Sequence, residues 1–254
     1  MKQPNYFSSS INKALKIIEC LGNSPRPLKA SEVASITKLQ RASAFRILAY
    51  LTSLGYVFKD MSTHLYSLGH KIFEFGDNSE FLKTLTTYSI YHIQNLSRDS
   101  QLITYLAVLE GPHIMYCDKV SPSGESVPRS FRMRQDAHST ALGKAMLTYK
   151  SYDELKEIYK SYSLHKHTKN TITSLNNLYS ELRKIRRDGY STNMAETFDY
   201  IYGVGAPILD LNNRAIAAIA LSGTKSTINI KTIPILAKKI IKTSKLISDE
   251  ITEK

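Results

Sequence analysis

The chain has 254 residues and a formal net charge of +12, with 34 Lys and Arg against 22 Asp and Glu. A hydrophobic content of 42% and a charged content of 22% are typical of globular proteins and exclude disorder as the main state. No apolar run reaches the ~18 residues that span a bilayer. The first residues lack the apolar core of a signal peptide, so we expect a cytoplasmic protein with no membrane partner. Cys20 and Cys117 form no CxxC motif, which excludes a disulfide scaffold and a cysteine-rich zinc site.

The positive charge is concentrated near the N-terminus. Residues 1–75 contain ten Lys and Arg but only four Asp and Glu, whereas an equal surplus of six is spread over residues 76–254. A basic region of this kind is the electrostatic footprint of a nucleic-acid-binding surface, and it is equally compatible with a solvated face. The order of the predicted elements has to decide between the two.

Three helices and a hairpin are predicted in this basic region. Apolar residues recur at helical spacing in a first helix, whose predicted inward stripe is Ile11, Ala14, Leu15, Ile18 and Leu21. A second helix is predicted from about 30 to 37, and a third from about 40 to 54. Two alternating segments, 56–59 and 65–68, then predict a β-hairpin. Three helices with a tight second turn, followed by a hairpin, are the pattern of a winged helix-turn-helix.

The third predicted helix has the residues that a helix needs to enter the major groove of DNA, with polar or small side chains near its N-terminus and apolar ones behind. Gln40 is suited to adenine, and Arg41 or Arg46 to guanine or to a phosphate. Phe45 either contacts a thymine methyl group or packs under the wing. For each basic residue the alternative is a solvated surface charge. The candidate DNA-binding residues are Gln40, Arg41, Ala42, Ser43, Phe45 and Arg46 on the helix, with Lys59 and His64 at the wing for phosphate or minor-groove contact.

Beyond residue 76 the pattern predicts a linker helix and a second domain. Apolar positions through residues 77–97 give a helix with one apolar side, which packs either on a second subunit or on its own C-terminal domain. Alternating segments predict two hairpins, within 103–117 and 204–221. Helices are predicted alongside them at 139–149, 173–188 and 233–248. Hairpins with flanking helices indicate an antiparallel α+β domain.

Motifs along nearly the whole chain resemble the IclR family of bacterial transcription regulators. The N-terminal third carries EVA in the second helix, then Ser43, Arg46, LGYV and YSLG, in that order. The C-terminal part carries HSTALGKAML at 138–147, RDGY at 187–190 and GAPI at 205–208. One departure from the family pattern is Lys38, which stands in a turn where the family usually has Gly. A non-glycine residue there costs about 1 kcal/mol if its φ angle is positive.

The resemblance implies an α+β fold in three parts. These are an N-terminal winged helix-turn-helix DNA-binding domain at 1–76, a linker helix at 77–97, and a C-terminal GAF-like antiparallel sheet with flanking helices at 98–254, which binds an effector. The implied partners are double-stranded operator DNA, a small-molecule effector and further copies of the chain in a homodimer or tetramer. No cofactor is implied.

The resemblance also implies where the effector binds. The family's effector-binding positions correspond to Ala141, Leu142, Asn193, Gly203, Ala220 and Ser222. Family members that hold small carboxylates tend to have Asp, Cys and Ser where this chain has Asn193, Gly203 and Ala220. These departures imply a roomier and less polar pocket.

Motifs for catalysis or metal binding are weak. Gly143-Lys144 is similar to part of a phosphate-binding loop, but position 138, where the loop needs its first glycine, is His. His165 and His167 form a candidate metal pair. No Cys or acidic residue lies at a helpful spacing, so we favour solvent-exposed loop histidines and expect no metal. No Gly-x-Ser-x-Gly motif is present, so no catalytic residue is assigned and the chain is not predicted to be an enzyme.

The sequence therefore predicts a ligand-responsive, DNA-binding transcriptional regulator that controls catabolic operons through a small-molecule effector. The alternative is a metabolite-binding sensor or degenerate enzyme whose winged helix serves protein–protein contact. Binding to specific DNA separates the two hypotheses.

Overall fold

The structure is a computed structural model that describes residues 8–72, 80–125 and 134–252. The chain divides into two compact units, residues 1–80 and 81–254, and each is described by itself. The start of the linker helix, predicted at Asp77, lies outside the described residues. Among the described helices, none combines the length and the apolar character that crossing a bilayer requires.

The N-terminal unit contains three helices and a hairpin in the predicted order. Its elements are α1 (Ser9–Gly22), α2 (Ala30–Thr37), α3 (Arg41–Ser53), β1 (Val57–Lys59) and β2 (Tyr66–Leu68). The two strands pair antiparallel, and Leu28 forms an additional bridge with Tyr66 on the other side of the hairpin. The core of this unit is formed by Ile17, Leu21, Leu28, Val33, Ala34, Ala44, Leu48, Leu51, Val57 and Tyr66.

The buried face of α1 differs from the predicted one. Ile17 and Leu21 are buried, whereas Ile11 and Leu15 of the predicted stripe are more than half exposed. Ile17 and Ile18 are adjacent and equally apolar, so helical periodicity alone does not decide which of them faces the core. The prediction that Ile11 and Leu15 face the core was wrong. The buried side chains of α1, Ile17 and Leu21, both lie in the C-terminal half of the helix.

Helix α2 is short. Hydrogen bonds to one carboxylate fix its start, and a residue in the left-handed conformation ends it. At its start, the Glu32 carboxylate accepts from the Lys29 backbone N–H at 2.7 Å and from the Arg26 guanidinium at 2.7 Å. At its end, Lys38 adopts φ 56° and ψ 34°, in the left-handed region. The turn that the sequence analysis singled out therefore does need a positive φ, and it is filled by a residue with a Cβ atom.

The C-terminal unit is an antiparallel sheet with helices packed alongside it. In chain order its elements are α4 (Glu80–Ser100), β3 (Ile103–Glu110), β4 (His113–Val120), β5 (Arg134–Asp136), α5 (Ala141–Leu147), α6 (Tyr152–Ile158), α7 (Leu175–Asp188), β6 (Ser191–Met194), β7 (Tyr202–Leu209), β8 (Ala215–Gly223) and α8 (Ile233–Thr252). The strands lie in the order β5-β4-β3-β8-β7-β6, and every neighbouring pair is antiparallel. This confirms the predicted α+β class.

Alternating side chains of the central strands enter two separate hydrophobic cores. Leu106 and Ile219 belong to a core that includes residues of α4 and α8, whereas Ala107 and Ala220 belong to a core that includes residues of α5, α6 and α7. Because successive residues of a strand point to opposite faces, both faces of the sheet are covered. The buried side of α4 thus packs on its own C-terminal unit. This is one of the two alternatives predicted from the sequence, the other being packing on a second subunit.

Two strands were not predicted. Strands β5 and β6 contain three and four residues, and most of their side chains are polar. Such short polar segments carry no hydrophobic alternation, so their strand character depends on pairing with β4 and β7. Both strands turn out to border the candidate site described next.

Candidate DNA-reading surface and ligand cavity

Helix α3 turns an apolar face to the core and a polar face to solvent. Ala44, Leu48 and Leu51 are buried. On the other face, Phe45 is 55% exposed and lies outside the core of its unit, which speaks against packing under the wing. The predicted residues that are exposed are Gln40, Arg41, Ala42, Phe45 and Arg46, while Ser43 is half-buried. One helix face therefore presents two guanidinium groups, an amide and an aromatic ring together.

The tip of the hairpin is fixed by one carboxylate. Asp60 Oδ1 accepts hydrogen bonds from the Ser62 hydroxyl at 2.6 Å, the Ser62 N–H at 2.8 Å and the Thr63 N–H at 3.0 Å. These bonds, led by the Ser62 hydroxyl, lower the pKa of Asp60 to about 2. His64 follows with φ 56° and is exposed, whereas Lys59 is half-buried with Nζ 5.7 Å from the centre of the Tyr66 ring. The tip thus presents His64 more openly than Lys59.

The C-terminal unit contains a cavity of about 210 Å³ between the sheet and the start of α5. The six positions expected to bind an effector all line it: Ala141, Leu142, Asn193, Gly203, Ala220 and Ser222. These residues are separated by up to 81 positions in the chain, so only the fold brings them together.

The register of the sheet explains this convergence. Asn193 on β6 pairs with Gly203 on β7, and Gly203 in turn pairs with Ser222 on β8. Ala220 lies two residues before Ser222 and therefore points to the same face, where it pairs with Tyr105 on β3. Two adjacent rows of paired residues thus form one wall of the cavity.

The start of α5 forms the opposite wall. Thr140 caps this helix by accepting the Gly143 N–H at 3.0 Å, and the N–H groups of Ala141 and Leu142 have no partner within the helix. A Cβ atom on Gly143 would lie 2.1 Å from the carbonyl oxygen of Ala137, and one on Gly205 would lie 2.9 Å from that of Ala141. Gly205 therefore allows the start of α5 to approach β7 this closely, and Gly143 allows α5 to pack against the turn that precedes it.

The remaining wall is rich in aromatic rings that the sequence analysis did not identify. The Tyr116 hydroxyl donates to Gln135 Oε1 at 2.6 Å, and its ring lies 5.3 Å from that of Tyr105. Burial raises the pKa of both tyrosines, so both are neutral near pH 7. The other lining residues are Thr140, Thr197, Phe198, Tyr200, Ile201 and Leu221. Within the part of the chain that the structure describes, this wall contains no Lys, Arg, Asp or Glu.

Asn193 is held by its own neighbours. Its Oδ1 accepts from the Glu196 N–H at 2.8 Å, and its Nδ2 donates to Thr197 Oγ1 at 3.2 Å. The Thr197 hydroxyl donates in turn to the carbonyl oxygen of Ser139 at 2.7 Å. Asn193 therefore fixes the turn after β6 as well as lining the cavity.

A buried ion pair joins the two walls. Lys144 Nζ on α5 lies 2.6 and 2.8 Å from the two carboxylate oxygens of Glu196, and both side chains are almost completely buried. The second residue of the Gly143-Lys144 motif thus contacts a carboxylate within the protein. This contact accounts for the motif without a phosphate.

A cluster of histidines surrounds Asp136, at the end of β5. His167 Nε2 lies 2.8 Å from Asp136 Oδ2, and His165 Nδ1 lies 3.7 Å from the same oxygen. His165 and His167 are exposed and lie in a loop, as expected, but the fold brings Asp136 to them from about 30 positions upstream, which sequence spacing does not reveal. Burial opposes ionisation of Asp136, but hydrogen bonds from Tyr162 and His167 outweigh it and lower its pKa.

The comparisons with known proteins agree with both units. A family model described as the IclR helix-turn-helix domain matches residues 10–60, and one described as the C-terminal domain of the bacterial transcriptional regulator IclR matches residues 84–249. The second match alone covers more than half of the chain. This chain belongs to the IclR family. Its winged-helix unit and its C-terminal unit are therefore the two domains of an IclR-type, DNA-binding transcriptional regulator.

Individual relatives of the IclR family match along most of their length. The HTH-type transcriptional regulator KdgR of Escherichia coli is 28% identical over 222 residues, which cover 87% of this chain and 84% of KdgR. The crystal structure of Thermotoga maritima IclR has a TM-score of 0.68 at 28% identity and covers 95% of this chain and 98% of that one. An IclR homolog from Microbacterium hydrocarbonoxydans, complexed with 4-hydroxybenzoate, has the same fold at 18% identity, with a TM-score of 0.80 and coverage of 96% and 99%.

Proposed function

We propose that this chain is a transcriptional regulator that binds operator DNA through α3 and the hairpin, and whose DNA affinity changes when a small organic molecule fills the cavity. Membership of a family of DNA-binding transcriptional regulators carries the first part. The convergence of all six expected effector positions on one cavity supports the second. An effector acts only if it binds the DNA-competent and DNA-incompetent states with different affinity.

The DNA-binding part rests on the exposed face of α3. We propose that Arg46, Arg41 and Gln40 read base edges in the major groove, since arginine suits guanine and glutamine suits adenine. Ser43, Ala42 and Phe45 complete the contact surface, while Lys59 and His64 contact the DNA backbone. We further propose a homodimer or tetramer, because paired half-sites read by symmetric copies are common among helix-turn-helix proteins.

The size and chemistry of the cavity define the ligand class. A cavity of ~150 Å³ accepts benzene, so the volume of about 210 Å³ suits a molecule somewhat larger than one ring. Tyr105, Tyr116 and Phe198 offer flat apolar surfaces, and Ser222 offers a hydroxyl group. We propose a small ring-shaped metabolite with one or two oxygen-containing groups as the effector, and a catabolic operon as the target. The homolog bound to 4-hydroxybenzoate is consistent with this class.

DNA binding is tested with the region upstream of the protein's own gene. Fluorescence anisotropy over a range of salt concentrations should show specific binding, with log affinity falling by roughly 0.9 per phosphate contact for each unit of log salt. An unrelated duplex of equal length is the control. Equal affinity for both duplexes would contradict the proposal and favour the alternative, in which the winged helix binds another protein.

Ligand binding is tested with a thermal-shift screen of aromatic acids, sugar acids and small keto acids on the full chain. We expect a hit that stabilises the wild type and loses its effect in Ser222→Leu, because the larger side chain occupies part of the cavity. Ser226→Leu, at an exposed position in the turn after β8, is the matched control and should respond like the wild type. A hit that stabilises both variants equally would place the ligand elsewhere.

A further inference from the structure

The cluster around Asp136 combines three groups that suit a metal ion. The ligand atoms of Asp136, His138 and His167 all lie within 4.8 Å of one another. Asp136 and His138 are buried, while His167 is the exposed member, in the segment between α6 and α7. Two imidazoles and one carboxylate form a common donor set for Zn²⁺ and related divalent transition metals.

The second observation is an unpartnered nitrogen. His138 Nε2 lies 3.1 Å from the carbonyl oxygen of His165, and a carbonyl only accepts, so Nε2 must carry the proton. Nδ1 of the neutral ring is then a bare lone pair. This nitrogen is buried and has no hydrogen-bond partner, and the side chain is 0% exposed. A buried acceptor without a donor is costly, and a metal ion would satisfy it.

The surroundings match those of a metal ligand set. A histidine that binds a metal usually donates its other ring N–H to a backbone carbonyl or a carboxylate, which fixes the orientation of the ring. His138 does so through His165, and Asp136 is positioned by the Tyr162 hydroxyl at 2.7 Å. His113 Nδ1, 3.2 Å from Asp136 Oδ1, and His165 Nδ1, 3.7 Å from Asp136 Oδ2, also face the carboxylate.

We propose that Asp136, His138 and His167 bind one divalent transition metal ion, with Zn²⁺ as the best fit. Zinc donors about 2.0–2.1 Å from the ion stand about 3.4 Å apart, so a pair at the 4.8 Å limit must approach by about 1.4 Å. His167 is the exposed member of the set, so its side chain has more room to move than those of Asp136 and His138. When the ion replaces the hydrogen bond to Asp136, the ring proton of His167 moves by exchange with solvent from Nε2 to Nδ1, so that Nε2 offers its lone pair, and water fills the fourth position.

The ion would stabilise one wall of the cavity. Gln135 and Thr140, which flank the Asp136–His138 segment, both line the cavity. In the loop that holds His167, the Thr171 hydroxyl donates to the carbonyl oxygen of Glu196 at 2.6 Å, next to the lining residues Thr197 and Phe198. The metal would therefore connect two segments that border the cavity from outside, while the cavity itself remains free for an organic ligand.

Isothermal titration of the chelator-treated full chain with Zn²⁺ tests the site. We expect one ion per chain for the wild type, and affinity at least about 100-fold lower for Asp136→Asn and His167→Gln. His92→Gln is the matched control, since His92 lies on α4 and pairs with Glu250. Its affinity should equal that of the wild type.

Two further readings keep the test decisive. Zn²⁺ should raise the unfolding temperature of the wild type and of His92→Gln but not that of the two site variants. Co²⁺ should show the intense visible absorption of a tetrahedral site in the wild type and in His92→Gln, but in neither site variant. His167 is exposed, so His167→Gln is expected to fold even where Asp136→Asn does not. No stoichiometric binding by the wild type, or equal binding by His167→Gln, would overturn the proposal.

Discussion

In the N-terminal unit most candidate functional residues lie on one helix, whereas in the C-terminal unit they come from several segments that meet around a cavity. The exposed face needs only the periodicity of α3 to present Arg41, Phe45 and Arg46 side by side. The cavity needs the register of three strands and the close approach of α5. Local structure thus creates the first surface, and tertiary packing creates the second.

This difference predicts where a single substitution does most harm. A change on the exposed face should alter binding and leave stability almost unchanged. A change among the buried groups that join the cavity walls should mainly lower the stability of the C-terminal unit. The predictions below follow from this contrast, beginning with the largest effect.

The buried ion pair gives the largest expected effect. Lys144→Met leaves the Glu196 carboxylate buried without its partner, which should destabilise the C-terminal unit by about 3–5 kcal/mol. Amide hydrogen exchange across the C-terminal unit measures this loss separately from the N-terminal unit. Lys160→Met, which breaks the exposed pair with Glu157, is the control and should cost about 0–1 kcal/mol.

A double variant sharpens this test. Lys144→Met combined with Glu196→Gln removes both charges and should recover part of the lost stability, because no unpaired buried charge remains. Equal instability of the single and double variants would show that the charge of Glu196 is not the cause.

On the exposed face, Arg46→Ala should weaken operator binding by about 1–3 kcal/mol, roughly a five- to 150-fold loss. Thermal unfolding and circular dichroism should match the wild type, since the side chain is outside the core. Arg183→Ala, on the exposed side of α7, is the matched control and should bind DNA normally. Unchanged affinity of Arg46→Ala would move base recognition to other residues of α3.

A substitution in the turn between α2 and α3 should have a smaller effect, and it should stabilise the protein. Lys38→Gly should stabilise the N-terminal unit by about 0.5–1 kcal/mol, because glycine adopts a positive φ without strain. Lys16→Gly, within α1, should instead destabilise it by about 1 kcal/mol. Hydrogen exchange of the N-terminal unit measures both. Destabilisation by Lys38→Gly would show that the left-handed turn carries little strain.

The smallest expected effect concerns the tip of the hairpin, whose stability should depend on pH through Asp60. The pKa of Asp60 is lowered to about 2 in the folded chain, so the stabilisation by its hydrogen bonds is present above the ordinary pKa of ~3.9 and is lost as pH falls towards 2. Titration of the Asp60 carboxyl carbon by NMR measures this directly. Ser62→Ala removes the leading hydrogen bond and should raise the pKa, and an unchanged value would contradict its role.

The sequence predicted best those features that depend on neighbouring residues. Helices α2 and α3 lie within one residue of their predicted bounds, because caps, apolar spacing and Gly55 are all local signals. The buried face of α1 was misjudged because Ile17 and Ile18 offer the same periodicity. Strands β5 and β6 were missed because their polar residues become strands only through pairing.

The candidate sites show the same limit. The resemblance to the IclR family located six positions around the cavity, yet it did not point to Tyr105 and Tyr116. The only available signal for these two tyrosines was their place in the alternating patterns of β3 and β4. No spacing rule connects Asp136 with His167, since their contact depends on how the loop after α6 folds back on β5. Contacts of this kind become visible only in three dimensions.

The central claim is that a ligand in the cavity changes the affinity of this chain for DNA. The most direct measurement is the affinity of the wild type for its own upstream DNA, with and without a ligand that the thermal-shift screen identifies. We predict at least a fivefold change, about 1 kcal/mol of coupling, for the wild type and for Ser226→Leu, and none for Ser222→Leu. Identical affinity of the wild type in the presence and absence of a saturating ligand would contradict the account.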